Sequence, residues 1–139
     1  MSTRLVTFTL DARLYGVEVS WVQEVLRGLP RTRIPLAPPA MAGLINLRGQ
    51  VLPAVDLRVQ LGLPARVGDD EPMLVVVRVG GEPLALLVDS IGAVVDVEQD
   101  QFEPPPDTLA GPVREIVVGA YKLPDRLLLS LDVDRAVAA

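Results

Sequence analysis

Apolar and polar positions alternate along this chain in short runs that turn residues keep interrupting. Val6-Thr7-Phe8-Thr9-Leu10 changes polarity at every step, the period of a strand with one buried face. It leads through Asp11-Ala12-Arg13 into Leu14-Tyr15-Gly16-Val17-Glu18-Val19, a pattern that predicts a hairpin. The longer apolar runs, Leu74 to Val77, Leu84 to Val88 and Leu127 to Leu129, are also strand-sized. None approaches the ~20 residues that a membrane-spanning helix needs.

The pattern repeats. Sixty-nine positions after the first hairpin, Val75-Val76-Val77-Arg78-Val79 leads through Gly80-Gly81-Glu82 into Pro83-Leu84-Ala85-Leu86-Leu87-Val88 without a gap. A second match sets Gly43 to Asp56 on Gly119 to Asp132 at an offset of 76, so the second copy has a longer middle loop containing Pro104-Pro105-Pro106. That triplet is either a stiff connector or a ligand for a proline-reading domain. A unit of about 60 residues is marginal on its own, so two should pack together. The expected product is all-β: two small barrels of about five antiparallel strands, related by an approximate two-fold axis, with a groove between them. Subdomain one would span about 14–71 and subdomain two about 72–139, with the N-terminal strand and C-terminal segment open to exchange between barrels. Ala65 to Glu71 reads as a polar linker.

Short helices fill the remainder. Ser20-Trp21-Val22-Gln23 has the form of a capping box and predicts a helix with Val22, Val25 and Leu26 on one face, stopped by Gly28. Asp89 holds the equivalent cap position in the second copy, where Gly92 and Val94-Val95 disfavour helix. Asp56 should cap a helix from Leu57 to Leu61, closed by Gly62 and Pro64, and Asp132 one from Val133 to Val137. Recurrence at cap positions makes these three aspartates structural rather than a catalytic or metal-binding cluster. The turn Arg48-Gly49 aligns with Pro124-Asp125, and proline requires a negative φ. A shared turn would then be type I or II, with the Arg48 guanidinium projecting free.

Composition narrows the chemistry. The chain of 139 residues has thirteen prolines, eleven glycines and few aromatics, which suits many turns and a Val/Leu/Ile/Ala interior. It contains no cysteine and no histidine, which excludes disulfides, thiolate zinc sites, Ser-His-Asp and Cys-His catalysis and phosphohistidine transfer within the chain. A net charge of −5 disfavours nucleic acid and anionic membranes. No signal peptide is visible at Met1-Ser2-Thr3-Arg4, and a cytoplasmic location is expected. No cofactor, metal or enzymatic activity is expected.

Tyr15-Gly16-Val17-Glu18-Val19, Val22-Gln23-Glu24-Val25, Ile34-Pro35, Gly43-Leu44-Ile45-Asn46-Leu47-Arg48-Gly49 and Pro53-Ala54-Val55-Asp56-Leu57-Arg58 closely resemble the CheW-type chemotaxis coupling family, as do Leu87-Val88-Asp89 and the segment from Gly119 to Leu131. The resemblance runs from about Leu5 to the C-terminus. It implies two SH3-like five-stranded barrels in an adaptor that joins the cytoplasmic tip of a methyl-accepting receptor to the regulatory domain of a histidine kinase. Such a protein would be recruited to receptor arrays and be monomeric when isolated.

Carried over by motif, the receptor site would include Val22, Glu24, Val25, Gly43, Arg48 and Gly49, with Leu86 and Val88 from the second barrel. Kinase-contact residues are not assigned. Ala85 stands where a glycine is common in the family, so its methyl could narrow the groove. Each residue also has a plainer explanation. Val22 and Val25 could be a buried helix face and Glu24 an exposed helix charge, Arg48 a solvated turn cation, and Gly43 and Gly49 simply a bend and a turn. The alternative function is a ligand- or oligonucleotide-binding small barrel, against which the acidic charge and scarce aromatics both count.

Overall fold

Both halves begin with the hairpins that the 69-residue offset predicts. The computed structural model describes residues 2–64 and 71–138; the expected linker from Ala65 to Glu71 lies outside them except for Glu71. Strands β1 (Ser2–Leu10) and β2 (Arg13–Glu18) pair through a two-residue turn at Asp11 and Ala12. Strands β7 (Met73–Val79) and β8 (Glu82–Val88) pair through Gly80 and Gly81. All four turn residues have positive φ, which gives the twist that flanking strands require of a two-residue connection.

The remaining strands among the described residues are β3 (Val22–Leu26), β4 (Arg31–Thr32), β5 (Met41–Leu47), β6 (Gln50–Asp56), β9 (Ser90–Glu98), β10 (Phe102–Glu103), β11 (Val117–Lys122) and β12 (Leu127–Leu131). They form two six-stranded sheets, ordered β10-β11-β12-β2-β1-β9 and β3-β7-β8-β6-β5-β4, called here sheet I and sheet II. Each contains five strands of five or more residues plus one of two residues, in keeping with the predicted all-β pair. Pairing is antiparallel except between β2 and β12 in sheet I and between β8 and β6 in sheet II. Those two exceptions are the same pairing under the repeat.

The gap-free match of Gly43–Asp56 on Gly119–Asp132 has a structural cause. The β5–β6 ladder shifts register between Met41 and Gly43, and the β11–β12 ladder between Val117 and Gly119. A bulge therefore precedes the glycine in both copies. Helices α1 (Leu57–Gln60), α2 (Pro112–Ile116) and α3 (Val133–Val137) are single turns. Asp56 caps α1 by accepting from the Arg58 amide at 3.0 Å, and Asp132 caps α3 by accepting from the Arg135 amide at 3.2 Å.

Three layers of apolar packing follow from the strand faces. A central cluster joins the facing sides of both sheets: Phe8, Tyr15, Val17 and Leu129 from sheet I meet Val55, Val75, Val77, Leu86 and Val88 from sheet II. Leu57, Val113 and Val133 of the helices close its flank. Sheet I also wraps a smaller cluster of Leu5, Leu14, Val97, Tyr121 and Leu128. Sheet II wraps Ile45, Ala54, Leu74, Ala85 and Leu87, with Leu47, Leu52 and Val76 beside them. Strands β7 and β8 thus bury both faces, which explains their unbroken apolar sequence.

Three expectations are corrected. The helix predicted from Ser20 is instead a 3-10 turn at Val19–Trp21 followed by strand β3. The i, i+3, i+4 spacing of Val22, Val25 and Leu26 is an accident of a bulge, since the β3–β7 register slips between Val22 and Glu24. Asp89 caps no helix: it is the single residue between β8 and β9, and its carboxylate accepts from the Arg58 side chain and the Asp11 amide. The Arg48-Gly49 turn is of the primed kind, with φ of +52° and +86°. Pro124 and Asp125 stay at negative φ, so the copies share a turn position but not its hand.

Candidate functional site

Sheet II curls until its edge strand β3 approaches the β5–β6 turn. Leu26 and Leu29 pack against both clusters wrapped by this sheet, which draws β3 toward β5 although three strands separate them in the ladder. The outcome at the rim is an ion pair between Glu24 of β3 and Arg48 of the turn. Arg48 is therefore not a free cation, contrary to the sequence expectation, yet its side chain remains 67% exposed against 27% for Glu24. The guanidinium hydrogen bond holds the Glu24 carboxyl below the usual glutamate range, and Glu24 in turn raises the Arg48 pKa.

The local sequence builds this turn. Positive φ at Arg48 matches the strand twist, and Gly49 takes the second positive φ without a side-chain penalty. Asn46 supports it by accepting the Gly49 amide on Oδ1 at 2.9 Å. The strands that meet at this ion pair also carry two exposed valines, Val25 of β3 at 43% and Val51 of β6 at 60%. Val22 is half-buried against the central cluster.

The structure brings Glu24, Val25, Arg48 and Gly49 to one rim and separates the other predicted residues from it. Gly43 is buried: a Cβ there would lie 2.5 Å from the Thr32 carbonyl oxygen, so glycine is needed for β4 to lie against β5. Leu86 and Val88 are both 0% exposed and belong to the central cluster. They cannot form an open groove wall, because β8 lies between β7 and β6 and the facing sheet covers the side they present. Ala85 faces the opposite way, into the interior of sheet II, so its methyl does not narrow a groove between the sheets.

Two residues that the sequence analysis did not assign to a site are the repeat counterparts of Val22 and Val25. Adding the 69-residue offset to Val22 gives Ile91, and adding it to Val25 gives Val94. Both lie on β9, which is the edge strand of sheet I as β3 is of sheet II. Ile91 is half-buried against the central cluster like Val22, and Val94 is 55% exposed like Val25. The repeat offset could have found them; the expected weak helix at this segment concealed the correspondence.

Among the described residues no group of three or more acidic side chains converges as a metal site, and the rim offers an ion pair and apolar edge strands rather than a nucleophile with its base. A doubled β scaffold with such a rim is the class of a binding module. Residues 4–139 match the family model described as the CheW-like domain, and the chain belongs to the CheW-like family. It is similar to "Chemotaxis protein CheW" of Klebsiella aerogenes, at 29% identity over 95% of this chain and 80% of that protein. It is also similar to "Chemotaxis protein CheW" of Bacillus subtilis, at 27% identity over 93% of this chain and 83% of that one. Among solved structures, the scaffolding protein TtCheW of Thermoanaerobacter tengcongensis superposes with a TM-score of 0.84 at 30% identity, covering 95% of this chain and 90% of that one. The protein is a chemotaxis coupling adaptor and not an enzyme, and none of these similarities favours the ligand- or oligonucleotide-binding alternative.

Proposed function

We propose that this protein bridges the cytoplasmic tip of a methyl-accepting receptor and the regulatory domain of a histidine kinase, working in the cytoplasm at receptor arrays. No helix among the described residues is long and apolar enough to cross a membrane, so attachment in this reading comes through the partners. The observation that carries the receptor assignment is the Glu24–Arg48 pair at the rim, on strands that also present the exposed Val25 and Val51. A guanidinium that keeps unused donors can fork onto a receptor carboxylate while Glu24 holds its position. The valines cover the apolar face of a receptor helix, and Ile91 and Val94 present the equivalent apolar edge on sheet I.

The kinase takes a separate surface at a sheet end. Leu36 supports this: it is fully exposed at a positive φ in the Ile34-to-Pro39 loop between β4 and β5, outside the strands that carry the rim residues. Holding both partners on one body raises the effective concentration of each for the other.

The test is a pull-down with a receptor tip fragment. Arg48→Glu places two carboxylates side by side at the rim and should abolish capture while the far-UV circular dichroism stays native. Unchanged affinity would remove Arg48 from the receptor site.

A further inference from the structure

One turn of helix grips both sheets. The helix α1 follows β6 of sheet II, and Leu57 and Leu61, both buried, anchor it in the central cluster. Arg58 and Gln60 are two positions apart and leave the helix about 200° apart around its axis. Both reach elements of the other half. The Arg58 guanidinium forks onto Asp89, Nε to Oδ1 at 2.9 Å and Nη2 to Oδ2 at 2.6 Å, and lies 3.9 Å from Asp11 Oδ1. Gln60 donates from Nε2 to the Ala136 and Ala138 carbonyls, at 2.9 and 2.7 Å, closing the end of α3.

The position of Asp89 gives the fork its meaning. The described chain passes between sheets at the 3-10 turn after β2 and at Asp89, which alone separates β8 of sheet II from β9 of sheet I. The same carboxylate accepts the Asp11 amide at 2.9 Å and so fixes the β1–β2 turn of sheet I. Its own amide donates to the Thr9 carbonyl at 3.1 Å. A hydrophobic seam holds two sheets together but, being non-directional, does not by itself select one angle. A bidentate fork on the crossover residue is directional. With only 11% of the Arg58 side chain exposed, water replaces the fork poorly.

We infer that the Arg58–Asp89 fork, with the Gln60 contact on α3, is a clamp that fixes the angle between the two sheets and makes the halves of this adaptor move as one body. The clamp stands apart from the rim at Glu24 and Arg48, and its test requires no receptor or kinase.

The chain has no cysteine, so labels go only where they are introduced. Val51→Cys on β6 and Val118→Cys on β11 are both exposed and report one sheet each. With spin labels on both, the parent gives one narrow distance distribution. Arg58→Met is expected to broaden or split that distribution while thermal unfolding stays cooperative. Asp89→Asn, which keeps the side-chain size and an acceptor for the Asp11 amide, decides the matter if Arg58→Met fails to fold. Parental widths in the folded variants, even with a lowered melting temperature, would overturn the clamp: the fork would then add stability without setting the angle.

Discussion

Replacing Leu86 by alanine asks whether β8 is a binding wall or an interior strand. Leu86 is 0% exposed, and its register partners on β7 and β6, Val75 and Val55, are buried beside it. Shortening a buried leucine to alanine removes the transfer free energy of its lost carbons and leaves a cavity, together about 2–5 kcal/mol. Ladders on both sides of β8 restrict collapse around the gap, so a loss of about 3 kcal/mol is expected here. At about 2.1 cal/mol/K per residue, a chain of 139 residues has an unfolding entropy of ~0.3 kcal/mol/K, and that loss lowers the melting temperature by about 10 °C. Urea and thermal unfolding followed by circular dichroism measure both quantities. Val25→Ala on the exposed rim is the comparison and should change stability by no more than about 0.5 kcal/mol. A Leu86→Ala protein with the parental midpoint but weakened capture by a receptor tip would refute the central packing described above and restore Leu86 to an open groove.

The two glycines carried over by motif should separate. Gly49→Ala meets nothing within 4 Å and pays only for its left-handed backbone, about 1 kcal/mol. Gly43→Ala combines a φ of +135° with a clash on the Thr32 carbonyl, so it should lose about 3 kcal/mol or more; equal shifts in the urea midpoint would contradict this difference. The Glu24 carboxyl, followed by carbon NMR through an acid titration, should protonate below the usual glutamate range because of Arg48. Its folded pKa is the lowered one, so the pair's stabilisation is present at neutral pH and disappears as pH falls through that value. Arg48→Met should move the titration back upward, and a titration unmoved by that change would dissociate the two side chains.

Much of this fold is legible in the chain because the duplication constrains it twice. The primed hairpins, the bulge glycines at 43 and 119 and the capping aspartates at 56 and 132 each occur at matched positions. What misled was local. Ser20-Trp21-Val22-Gln23 satisfies helix-start chemistry, but β3 gains a ladder with β7, and tertiary pairing outweighs a short helical preference. Proline at 124 suggested a negative φ at Arg48, whereas Asn46 and Gly49 let its turn adopt the other hand. The family resemblance puts Leu86 and Val88 of β8 on a groove wall, whereas the placement of sheet I against sheet II closes both faces of that strand. The exposed repeat counterpart of Val25 is Val94 on β9, while Leu86 and Val88 on β8 are fully buried.

The two parallel pairings give the halves different birth orders. In sheet II, Ala54 of β6 meets Ala85 of β8, which closes a short stretch of chain; in sheet I, Leu14 of β2 meets Leu128 of β12, almost the whole polypeptide later. By loop-closure entropy alone the wider ring costs about 1 kcal/mol more. On the ribosome, sheet II can assemble once its last strand emerges, while the N-terminal hairpin, synthesised first, waits for its final neighbour. A nascent chain stalled after β8 would carry that hairpin with both outer edges unpaired, ready to recruit a stray strand.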